Sequence, residues 1–214
     1  MSEKMEKKRV IISIGRQYCS HGKAIGRLLA ERLGIAYYDK ELLARIAEDN
    51  GFAPEIVQEQ DEKPTKSLLY SIVMNTFSYG YPATMSGLEL PMNQKLFLAQ
   101  FSTIREIAKE GSCVIMGRCA DYALAEDPDL FRIFLHASDQ DRIELCAKVD
   151  QLSPAKAKDY IHKMDKTRSS YYHYYTDQDW GYAPNYDLSI NVSRLGIEGS
   201  VELILNALQQ RGQL

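Results

Sequence analysis

The sequence predicts an α/β fold: a five-stranded parallel sheet with helices on both faces and a small inserted helical segment. Two patterns carry this reading. Short apolar runs at residues 10–14, 113–116 and 131–135, most of them rich in β-branched residues, suit strands covered on both sides. Between them, apolar residues recur at helical spacing, so strand and helix alternate along the chain. That alternation implies right-handed crossovers and a parallel sheet. With 214 residues the chain is long enough for one sizeable core, and it is read as a single domain over residues 1–214.

The elements follow in order. Residues 10–14 form the first strand. Ile25, Leu28, Leu29 and Leu33 then mark one face of a helix that ends at Gly34, a left-handed cap position. Residues 35–38 form a second strand, which ends in Asp39. Residues 40–50 are helical, with Leu43, Ile46 and Ala47 on one face and Gly51 as the stop, and Pro54 opens a further short helix. Residues 61–92 break the rhythm and are read as an insertion over the acceptor side of the site. Within it, residues 67–77 have amphipathic helical spacing, serving either an acceptor, a second subunit or simply as a cover for the core. A helix at 93–110 leads to the strand 113–116, and a fourth strand lies at 131–135. Helices at 139–149 and from Ser153-Pro154 towards Arg168 precede a fifth strand at 188–192 and a closing helix at 196–211. Residues 153–182 are read as a lid-like helical segment.

The junction of the first strand and helix holds the sharpest motif. Gly15 and the run Ser20-His21-Gly22-Lys23-Ala24 lie where a helix begins, and a helix N-terminus offers unpaired N–H groups and a positive dipole end to an anion. The phosphate-binding pattern G-x-x-x-x-G-K-[ST] is met only in part. Gly22-Lys23 is present, Gln17 stands at the first glycine, and Ala24 stands where a magnesium-binding hydroxyl belongs. Two readings stand here: a phosphate cradle, in which Ser20 supplies the hydroxyl, or an ordinary strand–turn–helix unit.

Composition excludes several classes. The net charge of −3 leaves no overall nucleic-acid or acidic-lipid footprint. The N-terminal segment lacks the apolar core of a signal peptide and no run is long enough to cross a bilayer, so the expectation is a cytoplasmic protein without membrane partners. The cysteines at 19, 113, 119 and 146 form no C-x-x-C pair, and no histidine pair has the i, i+4 spacing of a chelating helix. The spacing therefore predicts neither disulfide nor metal site.

Further pieces line up in order: Tyr37-Tyr38-Asp39 with Arg45 after it, Val114-Ile115-Met116-Gly117-Arg118, Phe134-Leu135-His136-Ala137-Ser138 with Arg142 close behind, Asp165-Lys166-Thr167-Arg168, and Asn185-Tyr186-Asp187-Leu188 through Ser193 to Ile197. This ordered set resembles the nucleoside monophosphate kinases, and most closely the cytidylate kinase-like family, over most of residues 9–210. The resemblance implies a three-layer P-loop NTPase fold and phosphoryl transfer from ATP, with Mg²⁺, to a small acceptor such as CMP. It implies that Gly15, Ser20, His21, Gly22, Lys23 and Ala24 hold the donor, that Asp39, Arg45 and Arg118 place the acceptor, and that Arg142, Lys166 and Arg168 close over the transferring group with Lys23 and Arg118. Guanidinium groups grip phosphate oxygens bidentately, which makes these types apt.

The sequence departs from the family pattern at Cys119, where cytidylate kinases carry an aspartate. A non-catalytic phosphate sensor and a kinase of a non-nucleotide acceptor remain as alternatives, and a homodimer is left open. Plainer readings stand beside the sharp ones: Arg45 on a solvated helix face, Lys166 and Arg168 in an ordinary surface charge cluster, and the aromatic run 171–182 as packing rather than base stacking. Cys19 and Cys119 both border the cradle in this reading, where a redox latch would sit.

Overall fold

The computed structural model describes residues 8–60 and 92–214. Five parallel strands form one sheet: β1 (Ile11–Arg16), β2 (Ala36–Tyr38), β3 (Cys113–Met116), β4 (Leu130–His136) and β5 (Leu188–Asn191), in the spatial order β2-β3-β1-β4-β5. The helices are α1 (Gly22–Leu33), α2 (Lys40–Asn50), α3 (Pro54–Gln60), α4 (Met92–Glu110), α5 (Ala120–Ala123), α6 (Asp139–Val149), α7 (Pro154–Thr176) and α8 (Val192–Gln210). The proposed insertion at 61–92, with its helix at 67–77, lies outside the described residues apart from Met92, which opens α4.

Alternation along the strands sorts the core into two layers. Ile12 and Ile14 of β1 and Val114 and Met116 of β3 pack with Ile25 and Leu29 of α1 and with Val201, Ile204 and Leu208 of α8. Ile11, Cys113 and Ile115 point the other way, onto Leu42 and Ile46 of α2 and Ile104 and Ile107 of α4. Both faces of the central strands β1 and β3 are thereby buried, as a parallel sheet with crossover helices requires, while the edge strands β2 and β5 keep exposed residues.

Three differences from the expected elements have local causes. β1 runs on through Gly15 and Arg16 because β4 pairs with them, Gly15 opposite Phe134 and Arg16 opposite Leu135. α7 continues past Arg168 to Thr176, since Tyr171, Tyr172 and Tyr175 keep a buried stripe going. α8 begins at Val192, but Gly196 interrupts it with a left-handed φ of 67°, so the regular helix starts close to where the spacing predicts. Among the described residues, no helix is long and apolar enough to cross a membrane.

Candidate functional site

Strand register builds the site. Tyr38 lies opposite Ile115, and Met116 opposite Ile14, so β2, β3 and β1 end at nearly the same level of the sheet. The residues that leave these ends, Asp39, Arg118 and Arg16, converge. Asp39 Oδ1 sits 3.7 Å from Arg118 Nη1 and 3.8 Å from Arg16 Nη2. Arg118 is only 4% exposed, and its Nη1 also donates to the Met116 carbonyl at 3.2 Å. Ligands of open α/β folds bind at this carboxyl edge.

A narrow cleft, with a cavity volume of about 20 Å³, lies beside the cluster, with Gly15, Arg16, Arg118, Asp121, Arg168 and Trp180 on its walls. Gly15 has no room for a side chain, because an added Cβ would stand 3.0 Å from the Phe134 ring. At the far wall the Tyr172 hydroxyl donates to Asp121 at 2.8 Å. Withdrawal from water raises the Asp121 carboxyl above the usual range, and the Tyr172 hydrogen bond works against that rise.

The aromatic run serves packing first. Phe97 stacks on Tyr175 at 3.8 Å, Tyr171 and Tyr172 are buried with Cys119, and Trp180 meets Phe134 edge-on at 5.1 Å. Tyr171, Tyr172 and Trp180 nevertheless also face the cleft.

The β1–α1 loop is compact and strained. Cys19 and His21 both adopt left-handed φ, 56° and 60°, as do Arg118 and Cys119 in the β3–α5 loop, 54° and 55°. L-residues other than glycine adopt this region at a cost of roughly 1–2 kcal/mol each, and these two loops hold four of the six such residues among those described, the others being Gln151 and Asp177. Gly22 begins α1 against Arg16, whose Cγ would lie 2.9 Å from an added Cβ. Lys23 and Ala24 are exposed on the first turn of α1. Lys23 is near enough to Glu41 to help lower that carboxyl's pKa, after the larger effect of a backbone hydrogen bond.

The start of α1 offers backbone donors for nucleotide phosphates. The reading of Ser20 as a magnesium ligand is corrected: its hydroxyl is buried and donates inward, to the Gln17 carbonyl at 2.9 Å and the Leu135 carbonyl at 3.4 Å. Ala24, on the first turn of α1, has no hydroxyl to offer a metal.

Two arginines stand elsewhere than expected. Arg45 pairs with Asp49 and with Glu110, at the end of α4 that leads into β3. Its side chain thus points towards the amino edge of the sheet, away from the cleft, because α2 descends from β2 and Glu110 lies at the bottom. Arg142 is 2% exposed and committed to the β1–α1 loop: its Nε donates to the Tyr18 carbonyl at 2.9 Å, and its guanidinium pairs with Asp165 and with Asp139. Asp165 in turn accepts from the Tyr18 N–H at 2.7 Å. Both backbone groups of Tyr18 are therefore bracketed by one ion pair from α6 and α7.

Arg168 shares in this arrangement while facing the cleft. It donates to the Arg16 carbonyl at 3.1 Å and lies 5.5 Å from the Tyr18 ring centroid. Lys166 is exposed on α7. Sequence reasoning missed Arg16 and Asp121. Arg16 carried a signal, as the last strand residue beside the loop, whereas Asp121 had none beyond an acid shortly after Arg118. Cys19 and Cys119 lie in separate clusters, with Cys19 beside Cys146 and Cys119 beside the tyrosines.

The model of the cytidylate kinase-like family matches residues 11–194. No curated protein matches the chain in sequence. Among solved structures, an uncharacterized protein from Eubacterium ventriosum superposes with a TM-score of 0.71 at 24% identity, covering 94% of this chain and 99% of its own. A shikimate kinase from Bacteroides thetaiotaomicron superposes at 0.53 and 14% identity, over 94% and 98% of the two chains. A shikimate kinase from Acinetobacter baumannii in complex with shikimate gives 0.51 at 12% identity, over 96% of each chain. At these identities the likeness is one of fold, the α/β P-loop fold.

Proposed function

The chain belongs to the cytidylate kinase-like family, and we propose that it transfers the terminal phosphoryl group of MgATP to a nucleoside monophosphate such as CMP. The observation that carries this reading is the convergence of Arg16 and Arg118 on one carboxylate, Asp39, in a cleft that Arg168 also lines. Ion contacts of 3.7–3.8 Å are longer than hydrogen bonds. An acceptor phosphate offers the same two guanidiniums shorter, bidentate contacts.

In this reading the backbone at Ser20–Lys23 and the Lys23 ammonium hold the donor phosphates, with Gly15, His21 and Ala24 forming the surrounding wall. Arg118 and Arg16 place the acceptor phosphate, and Asp39 orients both guanidiniums. Arg168 bridges donor and acceptor, while Lys166 supplies charge from the solvent side. The acceptor's phosphate oxygen bonds to the terminal phosphorus as the bond to the bridging oxygen breaks, giving ADP and a nucleoside diphosphate. No general base is needed, because that oxygen is already anionic. Catalysis then rests on positioning and on stabilising charge in the transition state.

The inward Ser20 hydroxyl and the absent hydroxyl at Ala24 favour one second reading, a phosphate-sensing domain without turnover. Turnover of MgATP across a panel of nucleoside monophosphates, with products resolved by chromatography, separates the two. The kinase reading expects ADP and one preferred diphosphate in equal amounts. ATP binding seen by calorimetry with no product from any nucleotide would overturn it.

A further inference from the structure

Beside the β1–α1 loop lies a group of side chains that the proposed phosphoryl transfer does not use and that do not line the cleft. Cys19 Sγ, Cys146 Sγ and a carboxylate oxygen of Asp150 all lie within 4.8 Å of one another. The three come from two elements: Cys19 from the strained loop, Cys146 and Asp150 from successive turns at the end of α6. Cys146 is fully buried, whereas Cys19 and Asp150 keep partial access to solvent.

We propose that Cys19, Cys146 and Asp150 form a binding site for a thiophilic divalent cation, zinc in preference to magnesium or calcium. Two sulfurs and one carboxylate oxygen are a donor set that soft or borderline cations select, while hard cations prefer oxygen alone. Three protein ligands leave the fourth tetrahedral position to water, admitted from the side on which Cys19 and Asp150 are accessible.

The surroundings suit such a site. The Tyr18 hydroxyl donates to Asp150 at 3.1 Å, an outer hydrogen bond of the kind that fixes a ligating carboxylate. Cys146 Sγ lies 3.3 Å from the same carboxylate. Ile161 and Ala157 of α7 close the apolar side.

Binding would proceed by exchange: the cation takes both thiolates and two protons leave to solvent, with no oxidation or reduction. The bound cation would link the loop to α6 beside the Arg142–Asp165 bracket, fixing the loop from a second direction.

The test uses the full chain, reduced and stripped of metal with a chelator, then titrated with Co²⁺ alone. The expected result is one Co²⁺ per chain, with near-ultraviolet sulfur-to-metal absorption and tetrahedral visible bands, both displaced by Zn²⁺. At Zn²⁺ a hundredfold above its Kd, Tm should rise by about 5–10 °C. Cys19→Ser and Cys146→Ser should each abolish the sulfur absorption, and Cys113→Ser and Cys119→Ser should preserve it. Asp150→Asn should retain sulfur absorption while weakening Co²⁺ at least tenfold. If Cys146→Ser fails to fold, Cys19→Ser, on the part-exposed loop, decides. The proposal is overturned if the reduced protein shows no sulfur-to-metal absorption, if that absorption survives Cys19→Ser, or if the two thiols only form a disulfide and retain no metal.

Discussion

Four arginines approach the β1–α1 region, and they divide into two kinds of contact. Arg16 and Arg118 meet a shared carboxylate at 3.7–3.8 Å, at the edge where three strands end together, and Arg118 also donates to the Met116 carbonyl of its own strand at 3.2 Å. Arg142 grips the Tyr18 carbonyl at 2.9 Å and two carboxylates, and Arg168 donates to the Arg16 carbonyl at 3.1 Å. The difference teaches that one residue type does two jobs here. In the proposed reading an acceptor phosphate takes the place of the Asp39 contacts, whereas the bonds to the Tyr18 and Arg16 carbonyls hold the β1–α1 loop itself. Arg168, which also lines the cleft, joins the two groups.

The sharpest way to break this division is to reverse charge on the cleft side. Arg118→Glu should lower kcat/KM for phosphoryl transfer by about 10³-fold or more, since loss of one preorganised donor alone costs ~3 kcal/mol in transition-state stabilisation. Urea unfolding must accompany the kinetics, because the residue is buried. A near-wild-type rate from folded protein would remove Arg118 from the site.

On the other side of the comparison the effect falls first on stability. Arg142→Ala leaves Asp165 largely buried without its cation, and breaking a buried pair in this way costs ~3 kcal/mol. Denaturant midpoints should show that loss. Arg142→Lys restores charge but not the fork that reaches both Tyr18 and Asp165, so it should recover only part. In the folded fraction, the Michaelis constant for ATP should rise more than kcat falls, because the loop rather than the chemistry is disturbed. A fall in kcat alone would return Arg142 to the phosphates.

That contrast also marks where sequence reading stops. The central strands were legible because buried parallel strands must be apolar on both faces, and residues 113–116 are such a run, all buried; the edge strands β2 and β5 are only partly buried and were read from the alternation of strand and helix. Asp39 and Arg118 were placed at the carboxyl edge by the sequence because they follow strand ends, directly for Asp39 and after Gly117 for Arg118. Arg142 and Arg45 were not, since their direction depends on Asp165 and Glu110, partners fixed only by tertiary packing. Cys19 and Cys146 illustrate the same limit: spacing rules for metal sites see local pairs, and these meet only once α6 is folded against the loop.

The cleft's far wall tests whether its charges are as separable as the arginines suggest. Burial raises the Asp121 carboxyl above its ordinary range, so the folded state binds this proton more tightly than the unfolded chain. Its contribution to stability is then full at pH below the unfolded value and lost as pH rises through the folded one. Asp121→Asn should remove that loss, gaining stability relative to wild type at pH 7–8 and less at pH 4. Urea titrations at both pH values check this. Equal effects at the two would mean that Asp121 is ionised at no cost, with Tyr172 as sufficient compensation.

The smallest expected change concerns the loop backbone itself. His21 caps α1 at φ 60° without a side-chain hydrogen bond to the helix, so a histidine there keeps strain and gains little. His21→Gly removes a left-handed penalty of roughly 1–2 kcal/mol and adds unfolded-chain entropy, leaving a net stabilisation of about 0.5–1 kcal/mol. Thermal unfolding should therefore show Tm higher by about 1–4 °C. The same variant separates the two groups of arginines kinetically. If the Tyr18 bracket already fixes the loop, removing the His21 side chain leaves the Michaelis constant for ATP unchanged. If His21 touches the donor, as the family resemblance implies, that constant rises although the fold is firmer, and the side chain rather than the backbone then does the holding at this position.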